Sequence, residues 1–290
     1  MKSPKFLFFL FIPILFLNAQ EAKPFQFYNQ KGKTVKFDKM VKDLAEYDVV
    51  LFGEHHNNSI NHWLQLRITK ALFAQRNGQL TLGAEMFERD NQSQLNDYLS
   101  GKLDEKALKD SIRLWQNFET DYKPLVDFAK DKKLKFIATN IPRRYASIVA
   151  KKGLDSLNTV TEKEKSWMMK LPVEVTLDTP GYPEMIEMMG DHAGPNPMNF
   201  VAAQAVKDAT MAESIEMKSE KGKLFLHYHG DYHSKAYGGI YWHLKKLNPN
   251  LKIAVISVFE SDDENLSLPK EDLTPTEYNL VIPADMTKTY

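Results

Sequence analysis

Acids and imidazoles occur in this chain at the points where short apolar runs end. Four runs are followed by such residues: Glu54, His55 and His56; Glu85; Asn140, Arg143 and Arg144; and His229, Asp231 and His233. Carboxylate and neutral imidazole together suit a divalent metal, which would hold a water for hydrolysis. They also suit general acid–base work. The residue types predict a polar site, but they do not identify which metal it would bind.

The apolar runs predict the strands that must position these residues. Residues 49–52 (VVLF) are apolar throughout, which is typical of a parallel strand buried on both faces. Further strands are predicted at 80–84, 134–139, 224–228 and 253–259, with an edge strand at 278–282. Helical patterns fill 37–44, 59–75, most of 91–131, 142–152 and 199–217. This alternation indicates an α/β fold, with a mainly parallel sheet flanked by helices.

The predicted sheet brings the four polar segments to one place. In an open parallel sheet, the carboxyl ends of the strands lie along one edge, and ligands bind in the crevice outside them. We therefore expect Glu54, Glu85 and the histidines to share that crevice. A structural alternative exists for single residues, because Glu54 or Glu85 could cap a helix and His227 could be a satisfied core histidine.

The first nineteen residues have the pattern of a signal peptide. Lys2 and Lys5 precede the apolar run 6–17, and Ala19 ends a cleavage site. The run is shorter than the ~20 residues that a membrane-spanning helix needs. We expect cleavage after Ala19, a mature single domain at 20–290 with no transmembrane segment, and export to the periplasm or the cell exterior.

The charge balance and the absence of cysteine limit the kinds of partner and cofactor that the protein can bind. Residues 20–290 carry 36 basic and 38 acidic residues, a net charge of −2, which gives no reason to expect nucleic acid binding. Cysteine is absent, so a lipid-anchored cysteine and a cysteine-ligated metal or haem are both excluded. Any bound metal or haem must be held by His, Tyr, Met or carboxylate side chains.

Residues 171–197 form a Gly/Pro/Met-rich insertion between two predicted helices. The segment contains Met185, Met188 and Met189 close to Tyr182 and His192. Long irregular segments inside a compact domain are commonly functional or disordered. We predict a mobile apolar flap over a flat ligand, with core-filling methionines as the structural alternative.

Six ordered motifs resemble those of the ChaN-like haem-binding uptake family, in the superfamily of Tiki, TraB and erythromycin-esterase proteins. The resemblance extends over residues 48–259. The motifs are 51–58 (LFGEHHNN) with His62, 84–90 (AEMFERD), 122–125 (YKPL), 139–143 (TNIPR), 203–213 within the late helix, and 230–233 (GDYH). Asn57 stands where the family commonly has an acid, and Asn61 where it commonly has a His.

The resemblance implies a cleft in which some superfamily members bind a divalent metal and hydrolyse substrates. Matched to the motifs, the hydrolytic residues would be Glu54, His56, Glu85 and Arg143, and the metal ligands Glu54, His56, Glu85 and His233. The resemblance also implies haem as a cofactor. The candidates for haem contact are His56, His62, Tyr122, Tyr182, His229 and His233, with Tyr232 and Tyr237 as further tyrosines.

Three functions follow as hypotheses. The first is an exported haem-binding protein that serves haem and iron uptake. The second is a hydrolase of esters or peptides that depends on a divalent metal such as manganese, cobalt or zinc. The third is a scaffold that binds a partner protein. The sequence leaves open the axial ligand of the haem, the metal and whether the chain forms a homodimer.

Overall fold

A computed structural model describes residues 22–190 and 196–290 of the chain. The predicted signal peptide and His192 lie outside these residues. The strands are β1 Gln26–Asn29, β2 Thr34–Val35, β3 Val49–Glu54, β4 Leu80–Glu88, β5 Phe136–Asn140, β6 Leu224–Gly230, β7 Ile253–Ser261 and β8 Tyr278–Pro283. The α-helices are α1 Phe37–Leu44, α2 Ser59–Gln75, α3 Gln92–Leu99, α4 Glu105–Ser111, α5 Lys123–Lys132, α6 Arg143–Lys152, α7 Glu162–Lys165, α8 Tyr182–Met189, α9 Pro197–Lys218 and α10 Gly239–Leu247.

In the described residues, the eight strands form one sheet in the order β2-β1-β8-β7-β3-β6-β4-β5. Strands β8, β7, β3, β6, β4 and β5 are parallel neighbours, and β1 pairs antiparallel with β2 and β8. The predicted α/β fold with a mainly parallel sheet is confirmed. The carboxyl ends of β3, β4, β5 and β6 lie side by side, as a site at that edge requires.

The alternation of side chains along β3 explains how helices cover both faces of the sheet. Val50 and Phe52 pack into the core formed with α1, α2 and α5, whereas Val49 and Leu51 pack against α9 and α10. All four side chains are buried, because each face of the strand has a helical layer above it. Glu54 continues the α2-facing row and therefore ends that row at the sheet edge.

The structure differs from the sequence-based prediction in six strands. Strand 278–282 was predicted to be an edge strand, but β8 is internal because β1 pairs with it on its outer side. The sequence did not predict β1 and β2, which have four and two residues and are too short for a clear alternating pattern. Strands β3, β4 and β6 also extend further than predicted, so that Glu54, Glu85 and His229 lie within them.

The insertion at 171–197 is not irregular throughout. Residues 182–189 form α8, which has Pro183 in its first turn and packs on α9 through the buried ring of Tyr182. Met185 and Met189 lie on this helix rather than on a loop. Among the residues that the structure describes, no helix is both long enough and apolar enough to cross a membrane.

Candidate functional site

A cleft lies outside the carboxyl ends of the central strands. It consists of two adjoining cavities of about 650 and about 600 Å³. Both cavities are lined by His56, Met185, Gln204 and His233, so these four residues form the ridge between the two halves. Glu85 and Arg143 line the first half and Glu54 the second. The structure thus brings Glu54, His56, Glu85, Arg143 and His233 to one cleft, whereas Arg144 pairs with Asp90 and lines neither half.

Glu54 and His56 form a carboxylate–imidazole pair at the end of β3. The His56 Nδ1 atom lies 2.9 Å from Oε1 of Glu54, which also accepts a hydrogen bond of 2.7 Å from the Tyr122 hydroxyl. The other Glu54 oxygen accepts from the Gln65 amide at 2.5 Å. Burial opposes the charge of Glu54, yet neighbouring His62 and the bonds from His56 and Tyr122 lower the Glu54 pKa. The buried carboxylate thereby fixes the imidazole ring.

His56 presents its second nitrogen to the cleft. Its side chain is 33% exposed, and its ring contacts Trp115 edge-on with the centroids 4.9 Å apart. Burial acts to lower the His56 pKa, but the hydrogen bond and charge of Glu54 outweigh it and raise this pKa. Once its Nε2 proton is released, an imidazole held at Nδ1 by a carboxylate offers Nε2 as a ligand or a base.

His233 lies between two buried carboxylates. Its Nε2 atom is 3.2 Å from Oε1 of Glu85, and its Nδ1 donates a short hydrogen bond to Oδ1 of Asp208. Burial alone would lower the His233 pKa, but the charges of Glu85 and Asp208 raise it to about 10. Burial likewise opposes ionisation of Glu85, while His233 holds the Glu85 pKa well below its ordinary value. His233 is therefore an imidazolium at neutral pH, with a proton on each nitrogen.

This arrangement does not provide the predicted metal ligands as one set. Glu54 pairs with His56, and Glu85 pairs with His233, so the four predicted ligands are arranged as two carboxylate–imidazole pairs. Within 22–190 and 196–290, no group of three or more His, Asp or Glu side chains is placed to hold a metal ion. The metal alternative gains no support from the site.

Two buried histidines behind the cleft form a hydrogen-bonded chain whose proton positions can be assigned. The Thr139 hydroxyl donates to the Ala84 carbonyl at 2.8 Å, so it accepts from His227 Nε2 at 2.7 Å. His229 Nδ1 must then donate to His227 Nδ1 at 3.0 Å, and His229 Nε2 accepts from Ser234 at 2.7 Å. Burial and repulsion from His233 lower the His229 pKa to about 3. Both rings are neutral and fully bonded.

Several residues predicted to contact haem do not line the cleft. His62 is buried, with its nitrogens near the Gln65 side chain and the His56 carbonyl. His229 is fully buried in the chain described above, and Tyr122 donates to Glu54. Tyr182 donates to Asp208 at 2.8 Å beneath α8. The polar atoms of these side chains are hydrogen-bonded inside the protein and can orient neighbouring residues. For this reason they do not face the cleft, where the prediction placed them as haem contacts.

The two remaining tyrosines are placed differently. Tyr237 bonds to Gln30 and Glu277 away from the cleft. Tyr232 lines the second half of the cleft, is 49% exposed, and donates to the Met188 sulfur at 3.0 Å. Of the four tyrosines considered from sequence, Tyr232 alone reaches the cavity.

The first half of the cleft combines an apolar wall with a cationic rim. Its apolar residues are Trp115, Ile141, Ala146, Ala150, Met185, Met189, Phe200 and Ala203. Its cations are Arg113, Arg143 and Lys207. Arg113 lies 3.8 Å from Glu88, whereas Arg143 and Lys207 form no ion pair with an acid in the described part of the chain. The half-cavity, which also contains Glu85 and Glu88, therefore combines apolar surface with two cations outside ion pairs, and it suits an apolar ligand that carries anionic groups.

Sequence reasoning missed four residues of this site. Asp208 and Lys207 lie in α9, where the motif at 203–213 indicates the family but predicts no role for either residue. Arg113 follows α4 with no motif around it. Tyr290 lines the second half of the cleft although it lies far along the chain from every motif. For Asp208, an acid on the buried face of a long helix was the available signal.

This chain has two weaker similarities to known proteins. Over 87 residues, the chain is 32% identical to Protein RETICULATA-RELATED 5, chloroplastic, of Arabidopsis thaliana. That alignment covers 29% of this chain and only 12% of the plant protein. An erythromycin esterase structure matches with a TM-score of 0.48 and 12% identity, covering 90% of this chain and 84% of the esterase. This second likeness is too low to indicate a shared activity.

Two stronger similarities agree with each other. The fold matches the structure of cofacial haem binding to ChaN of Campylobacter jejuni with a TM-score of 0.68. The two chains are 20% identical, and the match covers 90% of this chain and 97% of the other. The sequence model described as haem-binding uptake, Tiki superfamily, ChaN matches residues 40–244. The chain therefore belongs to the haem-binding uptake family of the Tiki superfamily, the family of ChaN.

Proposed function

We propose that this protein binds haem in the cleft. The observation that carries the proposal is the combination of an apolar wall, a cationic rim and one imidazole edge in the same cavity. Haem has matching features, since it is a flat apolar macrocycle with an iron centre and two carboxylates at one edge. Membership of the haem-binding uptake family supports the same ligand.

His56 is the residue that we propose as the axial ligand. The donor set fits haem iron, because His56 Nδ1 is held by Glu54 at 2.9 Å while Nε2 is left for the cleft. Tyr122, Tyr182 and His229 are bonded inside the protein, which leaves Tyr232 and Tyr290, the two tyrosines that line the cleft, as competing donors. Bound haem would supply an iron atom with an open coordination position, and His56 would fill that position.

Arg143 and Lys207 are the side chains that we propose for the haem carboxylates. Both line the first half of the cleft, and neither side chain forms an ion pair within 4 Å among the described residues. Arg113 is a weaker candidate, because Glu88 lies 3.8 Å from its guanidinium. A guanidinium and an ammonium on the cavity rim would orient the macrocycle with its carboxylates outward.

Export and a role in haem or iron uptake are further parts of the proposal. The pattern of residues 1–19 supports export to the periplasm or the cell exterior. Amino-terminal sequencing of the secreted protein should begin at Gln20. If the purified protein still carries residues 1–19 and is retained in the cytoplasm, the export proposal is wrong.

Titration of the purified protein with haemin tests the ligand. The wild-type protein should give a saturable Soret band with a defined stoichiometry. His56→Ala should shift the band and weaken binding, because it removes the proposed axial ligand, whereas Trp63→Ala, outside both halves of the cleft, should leave the band position unchanged. Tyr232→Phe should also leave it unchanged. No saturable band in the wild type would end the proposal, and a change in Tyr232→Phe alone would move the axial ligand to Tyr232.

A homodimer stays a prediction. The cleft is open, so that a second copy could cover an exposed haem face. Light scattering of the protein with and without haemin measures this directly. A mass that doubles when haemin is added would support a ligand-linked dimer, and an unchanged monomer mass would contradict it.

A further inference from the structure

Residues 284–290, which we call the strap, follow β8 and cross the loop that carries His56. The Thr289 amide donates to the Asn57 carbonyl at 2.9 Å, and the Ser59 hydroxyl donates to the Thr287 carbonyl at 3.4 Å. Lys288 forms an isolated bridge with Asn58 and an ion pair with Glu260. Residues 287–289 of the strap are therefore held by the loop between β3 and α2, by the first residue of α2 and by β7.

The strap is also joined to the hydrogen bonds behind His56. The Thr289 hydroxyl donates to Oδ2 of Asp121 at 2.7 Å, and the same oxygen accepts from the Asn117 amide at 2.6 Å. Asn117 in turn donates to the His56 carbonyl at 2.8 Å. Asp121 is buried, so this connection is shielded from water. The position of the strap is coupled to the backbone that presents the imidazole.

Tyr290 extends from this anchored strap into the cleft. It lines the second half together with Glu54 and His56, and it is 52% exposed. Partial burial and the charges of Glu54 and Asp121 raise the Tyr290 pKa, so the phenol is neutral at physiological pH. The strap lies outside residues 40–244, the part of the chain that matches the family. Tyr290 thus reaches the cleft from outside the part of the chain that matches the family model.

We propose that the strap closes the His56 side of the cleft and that the Tyr290 ring is a ligand-contacting wall for a flat aromatic ligand. The ligand class rests on the proposed haem-binding function. The assignment of the Tyr290 ring as a wall of the cleft is supported by the contacts of Thr289 and by the position of Tyr290 in the cavity. An aromatic face beside a flat macrocycle contributes by stacking and by excluding water.

Haemin titration of Tyr290 variants tests the wall. Tyr290→Ala should weaken haemin affinity by about three- to ten-fold, the range expected for loss of one aromatic contact. Tyr290→Phe should remain within about two-fold of the wild type, because the ring and not the hydroxyl forms the wall. Trp63→Ala is the matched control, since Trp63 is 48% exposed and lines neither half of the cleft.

A double-mutant cycle tests whether Thr289 acts by placing Tyr290. Thr289→Val should weaken haemin affinity, and Thr289→Ser should restore it because the hydroxyl that reaches Asp121 is kept. In the Tyr290→Ala background, Thr289→Val should cause no further loss of haemin affinity. Fully additive losses would show that the strap does not act through the ring.

A measurement without haemin separates this inference from the proposed function. In the ligand-free protein, Tyr290→Ala should shift the imidazole proton resonances of His56, whereas Trp63→Ala should not. If Tyr290→Ala changes neither these resonances nor haemin affinity, the inference is overturned. If the resonances shift but the wild type binds no haemin, the strap remains a wall of the cleft and haem is rejected as its ligand.

Discussion

The Nε2 atom of His233 lies 3.2 Å from Oε1 of Glu85, with Asp208 on the opposite side of the ring. Glu85 belongs to β4, Asp208 to α9, and His233 to the turn after β6. One buried imidazolium therefore connects a strand, a helix and a loop at the edge of the sheet. Because all three groups are buried, the free energy of this contact depends on the charges of all of them.

Glu85→Gln should destabilise the fold by about 2 kcal/mol near pH 6, since it removes one charged partner of a buried imidazolium. The His233 pKa of about 10 lies above its ordinary value of 6.5, so its stabilisation is fully present below about pH 6.5. That stabilisation is lost as the pH rises through 10. Urea unfolding at pH 6 and at pH 10.5 should therefore show a larger cost of Glu85→Gln at pH 6.

The pH dependence has an acid limb as well. Because the Glu85 pKa is lowered from 4.5, its contribution is present above pH 4.5 and is lost as the pH falls further. Glu220→Gln is a suitable control, since Glu220 pairs with surface lysines and should have little effect at either pH. An equal cost of Glu85→Gln at pH 6 and pH 10.5 would contradict a charged His233.

Gly230→Ala should disturb His56 through direct contact. A Cβ atom at residue 230 would lie 2.8 Å from both Cε1 and Nε2 of the His56 ring, so the ring must move. The expected cost is about 1–3 kcal/mol in unfolding free energy, together with weaker haemin binding. In a His56→Ala background, the same glycine change should cost much less. Equal costs in the two backgrounds would show that the clash lies elsewhere.

Arg143→Ala and Lys207→Ala should each weaken haemin affinity by about three- to ten-fold at low salt, because each removes a cation from the rim. The loss should shrink as salt is added, since the rim is open to water. Arg67→Ala, an exposed cation on α2 outside the cleft, should leave affinity unchanged. If haemin affinity is unchanged in both variants, Arg143 and Lys207 do not contact the haem carboxylates.

Thr139→Val should destabilise the fold by about 1–3 kcal/mol, because it leaves the buried Nε2–H of His227 without an acceptor. Thr139→Ser keeps the hydroxyl and should cost less. Thermal or urea unfolding measures both variants. If valine and serine have the same effect, the assigned proton positions of His227 and His229 are wrong.

The sequence determined the strands of the central sheet and the edge where the site lies. The run at 49–52 and the polar residues after it predict β3 and a site at its carboxyl end, because burial on two faces leaves a continuous apolar pattern. Motif order also predicted the family. Short β1 and β2 carried no such pattern, and the internal place of β8 depends on them.

Only the tertiary structure decided how the site residues pair. Side chains alternate along a strand, so Glu54 lies on the α2 side and Glu85 on the α9 side, and each takes a different histidine. Asp208 and Tyr290 reach the site from α9 and from the strap, at sequence separations that no local pattern encodes. The charge of His233 likewise follows from burial between two carboxylates, which depends on packing and not on residue type.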